Sequence, residues 1–209
     1  MSFVINRFSD APNQLSMNEI SRYMGARMDA MGDDVESRVH ELLPKYLKEI
    51  SCRACWMEVP LKISGNRVDM ELLTVESRNL AVNLDCCEKA VIFAATIGNG
   101  ADRLTRAASF HTPVNALIFD AMGSTAIEWF CDSLCCELSH IYKDYHLRPR
   151  FSPGYGDLSL SYQMDLINVL DARRIIGLTL SDSLMMIPQK SVTAIVGLRP
   201  NHNNKEVEI

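Results

Sequence analysis

The sequence predicts an α+β domain with a mainly antiparallel sheet packed by long helices. Three observations carry this. Helical and strand patterns alternate irregularly rather than as repeated βαβ units. Gly65-Asn66 separates two alternating runs, which marks a hairpin. No Pro/Gly/Ser-rich linker divides the 209 residues, so the chain reads as a single domain with length enough for a substantial core.

Residues 1–17, which include Pro12, read as an extended or poorly ordered lead-in. Ile20, Tyr23, Met24 and Met28 are three or four apart and predict a helix from Asn18 to about Met31, broken by Gly32. Asp33 and Asp34 supply an N-cap and first-turn acids for a second helix. Its apolar stripe is Val35, Val39, Leu42, Leu43, Tyr46 and Leu47. Ala54 to Ile63 predicts a strand, paired through the Gly65 turn with the alternation from Val68 to Val75. A short helix near Ser77–Leu84 leads into the run Ala90–Ile97, which predicts a buried strand by its length and composition. Gly98-Asn99-Gly100 ends it, and a helix follows through Arg106. Pro113, suited to the first turn of a helix, opens one long helical pattern to about Tyr145. A Pro- and Gly-rich loop, Arg148–Gly156, separates this from a helix over Leu160–Leu170. Strands near Leu178–Leu180 and Ser191–Leu198 close the domain. On this reading residues 1–76 form an N-terminal helical and hairpin layer, residues 77–198 the core, and residues 199–209 a polar tail.

Composition narrows the function. Lys plus Arg is 21 against Asp plus Glu 26, a formal charge of −5 with no basic block, which argues against nucleic-acid binding. No run of 18 apolar residues is present to span a membrane, and the first residues lack the apolar core of a secretory signal. The seven cysteines are therefore expected as free thiols in a reducing cytoplasm.

Four features invite a chemical reading. Cys52 and Cys55 form one Cys-x-x-Cys, but a structural zinc site wants a second pair, and Cys86-Cys87, Cys131 and Cys135-Cys136 do not supply it. Small buried hydrophobes or idle thiols are favoured, with no metal expected. Gly98-Asn99-Gly100 lacks the third glycine of a dinucleotide fingerprint, Arg103 standing in its place, so a plain strand-to-helix turn is favoured over a phosphate cradle. On the long helix, Val114, Leu117, Ile118, Ala121, Thr125, Glu128 or Trp129, Asp132 and Cys135 follow one face. Glu128 stands on or beside that stripe, near the small residues Gly123, Ser124, Thr125 and Ala126. It is open to an internal ion pair, an edge position facing water, or contact with a ligand ammonium or sulfonium. In the loop Arg148–Asp157, Pro153-Gly154 is a turn pair, Gly156 keeps the backbone thin, Arg150 can fork onto a carboxylate, and Tyr155 offers a ring and a hydroxyl. The alternative is an ordinary connection whose arginine pairs with a nearby acid.

At this loop the sequence resembles a family. Arg150-Phe151-Ser152-Pro153-Gly154-Tyr155 is similar to the Arg-x-x-Pro-Gly-Tyr signature of the activation (reactivation) domain of cobalamin-dependent methionine synthase. The resemblance runs through Gln163 and Leu170 to Gly177-Leu178-Thr179-Leu180 and Met185-Met186-Ile187-Pro188-Gln189-Lys190-Ser191-Val192. Upstream it takes in Ala95-Thr96-Ile97-Gly98 and Asp120-Ala121-Met122-Gly123-Ser124 with Glu128. It covers roughly residues 77–198, weakly the first 75, and is nearest to short stand-alone members in which Pro-Gly-Tyr-Gly-Asp ends the loop.

The resemblance implies an S-adenosylmethionine (SAM)-binding reactivation partner that supports reductive methylation of cob(II)alamin in methionine biosynthesis. The chain would be a component of a methyltransferase rather than a self-sufficient enzyme. Carried over by position, Arg150 would bind the ligand carboxylate and Glu128 its positive end, while Ser152, Gly154 and Tyr155 would hold the nucleoside. The cobalamin would be held by a partner, a methionine synthase or another corrinoid protein, with a flavodoxin-type reductant as a further partner. The alternative is a corrinoid-protein docking module of the same fold that no longer binds SAM. An independent SAM-dependent methyltransferase lacks a glycine fingerprint to support it.

Overall fold

A computed structural model describes residues 4–25 and 32–201. Its centre is a five-stranded antiparallel sheet in the order β1-β2-β6-β10-β7: β1 (Asn6–Phe8), β2 (Arg53–Pro60), β6 (Lys89–Thr96), β10 (Ser191–Pro200) and β7 (Tyr145–Leu147). The apolar run of β6 is explained by its position. Phe93 lies between Trp56 of β2 and Ala194 of β10, and every residue from Ala90 to Thr96 is buried because both faces of the strand are covered.

One face packs Val91, Phe93 and Ala95 under α1 (Met17–Tyr23), α2 (Asp33–Glu49), α4 (Asn99–Ser109) and the 29-residue α5 (Pro113–Ile141). The other packs Ala90, Ile92 and Ala94 against α3 (Arg78–Asn83), α6 (Tyr162–Val169) and α7 (Ala172–Ile176). A three-stranded sheet of β3 (Lys62–Ser64), β4 (Arg67–Asp69) and β5 (Thr74–Glu76) contributes Val68 and Val75 to this second core. Its first turn places Gly65 at φ 61°, which explains the glycine there. A two-stranded ribbon, β8 (Thr179–Leu180) with β9 (Met186–Ile187), completes the fold.

Five local differences from expectation have physical causes. The lead-in contains β1, which pairs with β2 some fifty positions away. The expected strand from Ala54 breaks after Pro60, which has no N–H to continue a ladder. The long helix stops at Ile141, and Tyr145–Leu147 becomes an edge strand on β10. Val114 and Leu117 are exposed rather than on the buried stripe. At about 1.5 Å per residue α5 is ~44 Å long, and its buried positions begin only at Ile118. The short α7 was not anticipated; Asp171 and Gly177, both left-handed, bound it. The first expected helix begins at Met17 with Ser16 as its cap, and its predicted stretch 26–31 lies outside the described residues. Among the described residues no helix is long and apolar enough to cross a membrane.

Candidate functional site

Phe151 fixes the loop. Its N–H donates to Ile195 O at 2.9 Å and its carbonyl accepts from Ile195 N–H at 2.8 Å, which stitches the loop to the outer edge of β10. Beyond Phe151 the chain turns away. Tyr155 N–H closes onto Ser152 O at 3.0 Å, with Pro153 and Gly154 in the middle positions and Gly154 at φ 94°. That is the turn for which Pro-Gly is suited. Gly154 donates its own N–H to Leu158 O at 2.8 Å.

A clip holds the far end. Asp157 accepts from Ser77 Oγ, from Arg78 N–H at 2.9 Å and from Asn79 N–H at 3.1 Å, so one carboxylate caps α3 and anchors the loop. These bonds, the Ser77 hydroxyl first, hold its carboxyl below the usual carboxylate range. Gly156 makes the approach possible: a Cβ there would lie 2.2 Å from Asn79 Nδ2.

Across the gap stands α5. Arg150 Nη2 donates to Glu128 Oε2 and to Asp132 Oδ1, each at 2.9 Å. Glu128 thus resolves as an ion pair at the rim of a cavity of about 410 Å3. Glu128, Arg150, Ser152, Pro153 and Tyr155 all line this cavity, within the usual size range of ligand pockets. Tyr155 is 58% exposed, and its ring meets Phe151 edge-on at 6.2 Å. Gly154 does not line the cavity; it shapes the turn behind it.

Three contributors escaped the sequence reading of the site. Asp132 is the second acid on Arg150. Two acids four apart on one helix face repel unless a cation sits between them, and that spacing was the available signal. Gln163 lines the cavity and donates from Nε2 to Leu184 O at 2.8 Å. Thr193 also lines it; the residue is 1% exposed, and its buried Oγ1 has no hydrogen-bond partner among the described residues. A lone hydroxyl in the apolar run Val192–Val196 was its signal.

The remaining features take their simpler readings. The space over Gly123 and Ser124 admits Lys190, whose Nζ reaches Asp120 Oδ1 at 2.8 Å and Ser124 Oγ at 2.9 Å; a Cβ on Gly123 would lie 2.9 Å from Lys190 Cε. Gly98 has φ 80°, and a Cβ on Gly100 would stand 1.8 Å from Glu49 O, so these glycines serve the turn and the packing of α4 on the end of α2. Cys52 and Cys55 point to opposite faces of the sheet, and burial pushes both thiols up to about 12. Among the described residues no three His, Cys, Asp or Glu side chains gather as a metal site.

No protein-family model matches the chain, and no curated protein does either. Among solved structures it is similar to the MetH reactivation domain bound to AdoHcy, with 14% identity and a TM-score of 0.73. The match covers 95% of this chain and 79% of that one. The chain is therefore a domain of mixed α and β structure with an activation-domain-like fold. The particular likeness is to the MetH reactivation domain.

Proposed function

We propose that this chain is a SAM-binding reactivation partner that supports reductive methylation of cob(II)alamin in a cobalamin-dependent methionine synthase. The observation that supports it is the meeting of Glu128, Arg150 and the Ser152–Tyr155 turn around one cavity, in a fold whose solved neighbour was captured with AdoHcy.

The donor set fits the ligand. SAM carries a carboxylate, an ammonium, a sulfonium and an adenine. Both ion pairs of Arg150 leave from Nη2, and the residue lines the cavity, where a ligand carboxylate would meet its guanidinium. Glu128 and Asp132 offer negative charge to the ammonium and sulfonium. The exposed Tyr155 ring offers a stacking face, and Ser152 lines the cavity beside it. SAM supplies a methyl group already activated by its own sulfonium, so this chain needs no general base. Its residues bind and orient. The loop is fixed at Phe151 and Asp157 before any ligand arrives, which limits the ordering cost of binding. The corrin would come from the partner, a methionine synthase or another corrinoid protein in the cytoplasm, with a flavodoxin-type protein as reductant.

Calorimetry with SAM and with AdoHcy tests the reading. Wild type is expected to bind both, and Arg150→Ala at least about tenfold more weakly, the scale of a lost charge-assisted pair. No heat with wild type overturns SAM binding. One observation favours a second reading, a corrinoid-protein docking module without SAM: Arg150 is already engaged by two acids of its own chain. Pull-down of a cobalamin-dependent methionine synthase that is unaffected by SAM would select it.

A further inference from the structure

At the opposite edge of the central sheet from the Arg150 cavity, a second recess of about 250 Å3 is lined by Arg7, Ser9 and Arg53, with Phe8, Ile175 and Ile176 as apolar wall. The strand register explains why the two arginines converge. Arg7 of β1 lies directly opposite Cys55 of β2, and Arg53 is two residues from Cys55 on the same strand. Residues two apart on a strand share a face, so Arg7 and Arg53 are diagonal neighbours on the face that α7 covers. Diagonal positions lie about 7–8 Å apart, close enough for two guanidinium forks to reach one group.

Neither guanidinium has an ion-pair partner among the described residues. Both residues are exposed, and neither side chain makes a hydrogen bond or an ion pair with a described residue. Arg174, nearby on α7, is engaged by Asp171, so acids are available in this region and are spent elsewhere. Two like charges set diagonally on adjacent strands repel. In a chain of net charge −5, a pair with no acid partner among the described residues beside an apolar recess is an arrangement that an anion would complete.

We infer that Arg7 and Arg53 form a binding site for a small oxyanion, a phosphate or carboxylate carried on a short apolar stem. The forks take the oxygens in bidentate geometry, the Ser9 hydroxyl adds a donor, and Ile175 and Ile176 take the stem. The volume is below that of the usual drug-sized pocket, which limits the occupant to a small molecule or the tip of a larger one. The site is separate from the Arg150 cavity and does not rest on the proposed function.

The test is a titration of the full chain, followed by amide chemical shifts, with inorganic phosphate in one arm and butyrate in the other, at low salt. Saturable shifts at Ser9 and Ala54 below about 10 mM are expected in at least one arm. The stronger arm identifies the head group. Arg7→Gln and Arg53→Gln should each weaken binding at least about tenfold. Arg53→Lys, which keeps the charge and loses the fork, should fall between. Two results overturn the site: no saturable shift in either arm of wild type, or unchanged binding in both glutamine variants. Because wild type alone can refute it, a variant that fails to fold does not shelter the inference.

Discussion

Thr193→Val should make the ligand-free protein more stable. Thr193 is 1% exposed, and its hydroxyl finds no partner among the described residues. An unpaired buried hydroxyl costs about 1–3 kcal/mol, and valine has nearly the same shape without that cost. Taking about 1–2 kcal/mol as the gain, and about 2–4 °C per kcal/mol for a domain of this length, the melting temperature should rise by about 2–8 °C. Thr193→Ser keeps the hydroxyl and removes the methyl, so it should fall below wild type. Thr125 is the control. It is also buried, but its Oγ1 donates to Ala121 O at 3.0 Å. Thr125→Val gives up that bond and should be neutral or destabilising by up to about 1 kcal/mol. The assay is thermal unfolding of the four proteins side by side. A drop in melting temperature for Thr193→Val would refute the reasoning, because it would mean that the hydroxyl is already satisfied in the fold.

The Asp157 clip should be pH-dependent. Its carboxyl is held below the unfolded value, so its contribution is complete above the ordinary carboxylate range and is lost as pH falls through the lowered value. The fall in melting temperature on acidification below about pH 4 should therefore be shallower in Asp157→Asn than in wild type; equal slopes would count against the clip. Thiol labelling of the native protein at neutral pH should start at exposed Cys86 and Cys136 and spare buried Cys52 and Cys55 until unfolding. Rapid labelling of Cys55 would contradict its burial.

Legibility in the sequence followed locality. The run Ala90–Ile97, apolar but for Thr96, declared β6 because a strand covered on both faces takes apolar residues at successive positions. Gly65 and the Pro153-Gly154 pair declared their turns because each position requires a backbone angle that few residues adopt. The edge strands did not declare themselves. Three residues carry almost no periodicity, and what makes Asn6–Phe8 and Tyr145–Leu147 strands is pairing with Ala54–Trp56 and Leu198–Pro200. The site divides in the same way. Arg150 and Glu128 stood out by charge in unusual settings, and the fold brings them within 2.9 Å. The roles of Asp132, Lys190 and Thr193 depend on what crosses over them from distant segments. Lys190 shows this most clearly: the small residues at Gly123-Ser124 invited a visitor to α5, and the visitor is a lysine sixty-six positions away.

The charges at the cavity connect the fold to the proposed ligand more closely than any single contact. Arg150 contributes one positive charge and Glu128 and Asp132 two negative ones, a local excess of one negative charge. SAM, with carboxylate, ammonium and sulfonium, carries a net +1; AdoHcy, which has lost the methyl group, carries none. On the proposed reading the site therefore favours the methyl donor over the spent product. For unit charges ~6 Å apart at an effective dielectric of about 40–80 the difference is about 0.7–1.4 kcal/mol, or roughly three- to tenfold. Asp132 is 72% and Glu128 42% exposed, so salt screens much of this. A modest, screened preference suits the task. A reactivation partner has to release one molecule and admit the next, and a deeply buried acid pair would hold both too tightly. On the proposed reading the half-open rim and the rigid loop divide the work: the loop would fix where the ligand sits, and the acids on α5 would bias which form of it stays.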